Sequence, residues 1–344
     1  MVLSFHRAMI AMATATAVFA AMPTARAANE FADSPKVTLR LTSASPEGME
    51  DSRALRDAAE YLKKATDGTV ILQPYLASSL FDEIAGMGAA KNGLVDMAVA
   101  CTCNLTKLTQ SFLFADLPFM FKGMENGREV WNGEFGMKLR QDVRKSLGMI
   151  PLAFAPSGGG YRVLWNNRRP VKTPADMNGI KLRTTATPIE QDFWKLAGAV
   201  PTPVDVSEIY SALQQGVVDG EHFQPAWFTL LKHHEVSKYG TEIQASAVYR
   251  VIMINERSYN KLDEAQKKAF AQAMELFEDK AYQYNREERE TALKEIAARG
   301  IEIYQPNEQE AQAWRALGDK FLQSDTVKGL VPADVIQQAR AAQK

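Results

Sequence analysis

Few residues in this chain have the type and spacing to do chemistry. In PVKTPADMNGIKLRTT, residues 170–185, Gly179 ends a turn, and Ile180, Lys181, Leu182 and Arg183 then alternate apolar with basic. That is strand periodicity, with an arginine at the strand's outer end. A guanidinium there could hold an anion, although most exposed arginines only face water. His233-His234-Glu235 lacks the HExxH spacing that sets two imidazoles on one helical face, so no zinc site is expected. Ser157-Gly158-Gly159-Gly160 is glycine-rich, but no Gly-Lys-Ser/Thr follows, and no G-x-S-x-G elbow occurs in the chain. A phosphate loop and a hydrolase elbow are therefore excluded. The two cysteines, Cys101 and Cys103, are read as lying on an extended run with their side chains on opposite faces. A mutual disulfide is not expected from that reading, and two small buried hydrophobes are.

Those residues need a frame, and the N-terminus sets its compartment. His6 and Arg7 precede an uncharged run, Ala8 to Thr24, that ends in Ala25-Arg26-Ala27. This predicts a secretory signal peptide over residues 1–27, cut after Ala27, and a chain exported to the periplasm. Without Arg7 and Arg26, the 40 basic residues become 38 against 41 acidic ones, a net charge of −3. No nucleic acid or other polyanion is implied as a partner. No later segment offers 18 uninterrupted apolar residues, so the mature chain is not expected to span a membrane. The 317 residues after Ala27 exceed one ordinary core, which predicts two lobes.

Val37, Leu39 and Leu41 alternate with polar residues, and helical spacing follows from Met49 to Ala65. A second strand over Val70 to Tyr75, a helix over about Phe81 to Lys91 and a third strand over Asp96 to Cys101 complete a mostly parallel, doubly wound first lobe. From about Ile150 a second α/β series begins, with strands in IPLAFAP, YRVLW and IKLR and helices near Pro188 to Leu196 and Val206 to Gln215. Asp263 to Arg299 runs 37 residues without glycine or proline and ends at Gly300. As a helix it would be about 55 Å long, more than one lobe needs. NREERE breaks any heptad after Tyr284, so a strut crossing two lobes fits better than a coiled coil.

Between Gly160 and Tyr239 the motifs become specific. The chain reads Gly160-Tyr161-Arg162, then Thr173-Pro174-Ala175-Asp176-Met177-Asn178-Gly179-Ile180-Lys181-Leu182-Arg183, then Gly198-Ala199-Val200-Pro201-Thr202-Pro203. Glu208-Ile209-Tyr210-Ser211-Ala212-Leu213-Gln214-Gln215-Gly216-Val217-Val218-Asp219-Gly220 and Glu235-Val236-Ser237-Lys238-Tyr239 follow. Upstream stand Asn92-Gly93-Leu94-Val95-Asp96-Met97-Ala98 and Leu117-Pro118-Phe119-Met120-Phe121. This succession resembles the DctP-type solute-binding proteins of TRAP transporters, the extracytoplasmic receptors of tripartite ATP-independent uptake systems.

The resemblance implies a two-lobed periplasmic binding protein fold of α/β class, with a ligand cleft between the lobes and a long helix spanning both. Residues 28–158 plus about 249–288 would form lobe I, and residues 159–248 plus about 289–344 lobe II. It implies a carboxylate held by Arg183, with Arg162 as a second contact and Gln224 standing in for the family's asparagine. This chain continues Val218-Asp219-Gly220 with Glu221-His222-Phe223-Gln224-Pro225, one residue longer than the usual pattern, which leaves the register of Glu221 to Phe223 open. Phe223 and Trp227 could wall the apolar end of the ligand. From the first lobe, strand ends would supply Cys103 and Asp82, and a crossing strand Tyr249. The partners implied are an organic acid and the small and large membrane subunits of the transporter; no cofactor, metal or catalysis is implied. A 2-oxo or 2-hydroxy monocarboxylate, or an aromatic acid, suits these residues. A sugar acid, a dicarboxylate, or a sensory rather than a transport role are the alternatives.

Overall fold

In a computed structural model the described residues are 30–106 and 108–343, so the expected signal peptide lies outside them. β1 (Val37–Thr42) buries Val37, Leu39 and Leu41, and α1 (Glu50–Ala65) lays Ala54, Leu55, Ala58 and Leu62 over the same core. β2 (Val70–Tyr75), α2 (Glu83–Asn92) and β3 (Met97–Cys101) continue the alternation, and β2, β1 and β3 pair in parallel. The helices α3 (Met124–Asn132) and α4 (Glu134–Leu147) then lead into the long strand β4 (Met149–Tyr161). Trp131 of α3 stacks on Phe154 of β4 with ring centroids 4.3 Å apart, at the centre of an aromatic cluster that includes Phe112, Phe121 and Tyr249.

The chain then leaves the first sheet for a second. β5 (Val163–Asn166), β6 (Lys181–Thr184), α5 (Pro188–Leu196), β7 (Val200–Pro203), α6 (Ile209–Gln214), β8 (Gly220–Phe223), α7 (Pro225–Leu230) and β9 (Tyr239–Thr241) follow in order. β10 (Ala247–Asn255) returns to the first sheet, and α8 (Glu256–Tyr259) and α9 (Glu264–Ala298) come next. β11 (Glu302–Tyr304), α10 (Glu308–Leu322), α11 (Asp325–Leu330) and α12 (Ala333–Ala341) complete the described chain. The strand orders are β2-β1-β3-β10-β4 and β11-β9-β5-β8-β6-β7. The first sheet is less parallel than the sequence predicts, because β10 comes back from the second lobe and pairs antiparallel with both β3 and β4.

α9 matches the predicted strut closely. Asp263 caps it in a capping box with Gln266, and its 35 residues span about 52 Å at 1.5 Å each. Phe270, Met274, Phe277 and Ala281 bury into the first-lobe core, whereas Ile296 joins the core of the second. The helix packs on α1 and β4 at one end and on α7 and β11 at the other.

Ser157-Gly158-Gly159-Gly160, which lacks a phosphate loop's sequence, forms the outgoing crossing. Gly158, Gly159 and Gly160 have φ of 61°, 94° and 78°, the left-handed region that glycine tolerates. A Cβ on Gly158 would lie 2.3 Å from Trp227 Cδ1, and one on Gly160 2.7 Å from Met124 Sδ. The Gly158 N–H donates to Glu50 Oε1 at 2.8 Å, tying the crossing to the start of α1.

Candidate functional site

Arg183 stands on β6, beside Glu221 of β8 in the parallel register, and is 3% exposed. Its Nε donates to the Val204 carbonyl at 2.9 Å, and its guanidinium lies 5.7 Å from the centre of the Phe223 ring. Among the described residues no carboxylate lies within 4.0 Å of it. Burial pushes its pKa down, with Glu190 and Glu221 opposing from a distance. The pairing also fixes the register that the sequence leaves open. Glu221 and Phe223 share the face of Arg183, and His222 points to the other face.

On that other face, Arg162 and Glu190 form a buried ion pair, Nη1 to Oε1 at 2.7 Å. The Thr185 N–H donates to Glu190 Oε2 at 2.8 Å, and the Thr185 hydroxyl donates to the same oxygen. Burial works against the Glu190 charge, but Arg162, Arg183 and the Thr185 bonds hold its pKa below the ordinary value. The pair borders a small cavity of about 20 Å³ where the lobes meet. Asp116 and Cys103 reach it from the segment after β3, Trp194 and His222 line it from α5 and β8, and Ser246 comes from the returning crossing. Burial raises the Asp116 pKa to about 7, with Arg162 pulling it down and Glu190 pushing it up. Burial and the Arg162 charge lower His222 to about 3, so its imidazole is neutral at physiological pH.

The other predicted residues divide. Gln224 is buried just before α7, and its Oε1 has no hydrogen-bond partner. Phe223 stacks on His233 at 5.6 Å as well as flanking Arg183. Cys103 reaches the cavity, but Tyr249 does not border it: it is fully buried in the first-lobe aromatic cluster, with its hydroxyl donating to the Met124 carbonyl at 3.2 Å. Asp82 is exposed and caps α2, its Oδ1 accepting from the Ala85 N–H at 2.8 Å. Its neighbour Glu83 points inward instead and accepts from Arg250 Nη2 at 2.7 Å. Trp227 packs against the crossing, its Nε1 donating to Ser157 Oγ at 3.4 Å.

The cysteine expectation is overturned, because Cys101 and Cys103 form a disulfide. Strand alternation puts residues i and i+2 on the same face, not on opposite faces. The strand also ends at Cys101, and the 3₁₀ turn Thr102–Asn104 curls the chain until the two Cα atoms stand 5.2 Å apart, within disulfide reach. Glu190, Asp116, His222, Arg250 and Glu83 were not singled out from sequence. For Glu190 a signal existed: Thr187-Pro188-Ile189-Glu190 has the spacing of a capping box at the start of α5, and the Thr187 hydroxyl accepts from the Glu190 N–H.

Comparison with known proteins agrees with this architecture. The profile of the bacterial extracellular solute-binding protein family 7, DctP, matches residues 42–326. The C4-dicarboxylate-binding periplasmic protein DctP of Rhodobacter capsulatus is 29% identical over 257 residues, covering 74% of this chain and 76% of that protein. A TRAP periplasmic solute binding protein from Ochrobactrum anthropi, its C-terminus bound in the ligand pocket, superposes with a TM-score of 0.84 at 26% identity, covering 90% of this chain and 95% of that one. Another from Bordetella, with density read as pantoate, gives a TM-score of 0.80 at 25% identity, covering 90% of this chain and 100% of that one. Two lobes, a strut helix and an arginine-lined meeting point thus coincide with a profile spanning most of the chain: this protein belongs to the bacterial extracellular solute-binding protein family 7, the TRAP transporter receptors its motifs resemble.

Proposed function

We propose that this chain is the periplasmic receptor of a TRAP transporter, capturing an organic acid and delivering it to a small and a large membrane subunit for ion-gradient-driven uptake. It binds and does not catalyse. Among the described residues no helix is long and apolar enough to cross a membrane, which suits a carrier that hands its ligand to separate membrane subunits. The lobes divide near residues 158 and 249, a reading supported by the passages between the two sheets after Tyr161 and before Ala247.

One observation carries the ligand class. Arg183 is a buried cation without a carboxylate in ion-pairing distance among the described residues, and a buried charge needs a partner. A ligand carboxylate would supply it, since the planar guanidinium presents parallel donors and closing lobes exclude competing water. Phe223, 5.7 Å from the guanidinium, would orient the rest of the ligand, and the unpaired Gln224 Oε1 would supply a polar contact. The ligand is a monocarboxylate of the 2-oxo, 2-hydroxy or aromatic kind. The Rhodobacter relative favours a second reading, a C4-dicarboxylate. Against it, Arg162 already has Glu190 as its counter-ion and does not offer a second free cation. Calorimetry with organic acids tests the anchor: Arg183→Ala should lose about 2–5 kcal/mol of affinity, and Arg183→Lys should recover only part of it. A near-native dissociation constant in Arg183→Ala would remove the anchor.

A further inference from the structure

Arg183 has an acidic neighbour that does not reach it. In the parallel register of β6 and β8, Arg183 stands directly beside Glu221, and residues so paired carry their side chains on one face, with the strands about 4.8 Å apart. Opposite charges in that position ordinarily form an ion pair. Here they do not: among the described residues no carboxylate comes within 4.0 Å of the Arg183 guanidinium. Glu221 is turned to His233 instead, its Oε1 2.7 Å from Nδ1, in a pair that is 0% and 1% exposed. With Glu221 ionised its oxygen can only accept, so Nδ1 donates. Glu221 Oε2 has no hydrogen-bond partner among the described residues, which leaves the His233 bond as the single tether on the carboxylate. The chain bends to bring His233 there. After α7, Lys232 takes the left-handed conformation, φ 60°, which is uncommon outside glycine, and the 3₁₀ turn His233–Glu235 begins at once. The ring stacks on Phe223 at 5.6 Å and meets Phe228 edge-on at 6.2 Å, which fixes its orientation, and Phe223 in turn flanks Arg183.

We propose that His233 is a positioning residue that holds Glu221 back from Arg183, so that the arginine is left for a ligand carboxylate instead of being paired within the fold. The inference rests on the anchor reading given above and adds what keeps that anchor free. A carboxylate fixed on the neighbouring strand competes at high effective concentration, and any ligand that has to displace it binds more weakly. One hydrogen bond from His233 removes that competitor. The aromatic contacts of the ring keep the bond aimed, because a stacked imidazole cannot swing its Nδ1 away without leaving Phe223.

Melting curves of the purified chain without ligand test this in a double-mutant cycle. In the wild type, Arg183→Ala should lower the melting point by no more than about 4 °C. In His233→Phe, which keeps a ring to stack on Phe223 and removes the donor, the same replacement should lower it by at least about 8 °C, because Glu221 has turned to Arg183. Adding Glu221→Gln to His233→Phe should return the effect to its wild-type size, and so should His233→Asn, whose amide restores a donor near Nδ1. In calorimetry with pyruvate, lactate and benzoate as probes, each one that binds should bind at least tenfold more weakly to His233→Phe, and Glu221→Gln should recover that loss. An Arg183→Ala effect of equal size in both backgrounds would overturn the proposal, and where no probe binds this cycle decides alone. If His233→Phe does not fold, the wild type decides: the melting-point effects of Arg183→Ala and Glu221→Gln should add, and a coupling above about 4 °C would show that Glu221 already serves Arg183. A probe whose binding survives Arg183→Ala would remove the anchor reading and this proposal with it, an outcome that the ligand-free cycle tells apart from a failure at His233.

Discussion

Each lobe buries an arginine on one of its strands, and these two are treated in opposite ways. Arg250, on β10 in the first lobe, is 4% exposed and has Asp51 at 3.5 Å and Glu83 at 2.7 Å, with the Ser45 hydroxyl accepting a further bond. Burial alone would lower its pKa, but Glu83, Asp51 and Glu50 hold it above the ordinary value. Arg183, on β6 in the second lobe, is as deeply buried, yet among the described residues it contacts the Val204 carbonyl and the Phe223 ring and no carboxylate, and burial wins. A charge balanced within the fold is part of the fold. One left without a carboxylate in ion-pairing distance is a demand for a partner. Burial, charge and strand position do not separate the two arginines; whether a carboxylate stands in ion-pairing distance does.

The sharpest way to break that comparison is to remove each arginine and measure stability without ligand. Arg250→Ala leaves Asp51 and Glu83 buried and uncompensated, and should cost about 3–5 kcal/mol in chemical denaturation. Arg183→Ala strands no paired carboxylate, and its ligand-free stability should stay within about 1 kcal/mol of the wild type. Equal losses in the two variants would mean that Arg183 is also balanced internally.

A titration sharpens the picture at the cavity. Asp116 has a folded pKa near 7, above its ordinary value of 3.8, so the folded state holds that proton more tightly. Its contribution is fully present below about pH 4 and is lost as pH rises through 7. His222 runs the other way: its folded pKa of about 3 lies below the ordinary 6.5, so its contribution is present above 6.5 and lost as pH falls. Because the two slopes oppose each other, the variant isolates one of them. Asp116→Asn should gain stability relative to the wild type between pH 5 and pH 8, by on the order of 2 kcal/mol. A difference that does not move with pH would show that Asp116 is ionised throughout.

The smallest effect belongs to the disulfide. Cys101 and Cys103 close a loop of very few residues, so the double serine variant should lose only about 1.5 kcal/mol. A loss beyond about 3 kcal/mol, seen as a melting point lower by more than about 6 °C, would mean that the bridge holds more than its own turn.

The sequence made the frame legible and much of the site illegible, for a physical reason. β1 and α9 declare themselves through local periodicity: Val37, Leu39 and Leu41 alternate, and Asp263 and Gly300 bracket a run free of breakers. Arg183 emerged through a motif, because its strand and turn are contiguous. Its distinction from Arg250 could not emerge, since the carboxylates that balance Arg250 lie 167 residues away at Glu83 and near the start of α1 at Asp51. Asp82 shows the same limit at close range. Its position before α2 suggests the cleft, but a cap side chain turns back on its own helix, and Glu83 takes the inward place. The cysteines were misread because residues i and i+2 of a strand share a face, and because the strand ends at Cys101, two residues short of Cys103.

The three left-handed glycines of the crossing have an evolutionary consequence. At Gly158, Gly159 and Gly160 any other residue would strain the backbone, and its Cβ would press on Trp227, Arg289 or Met124. In a saturation library these positions should form a contiguous run intolerant of replacement, while positions around the ligand accept change more freely. Single side chains on the lobes are therefore free to change what the receptor holds, while the joint that carries those lobes is not.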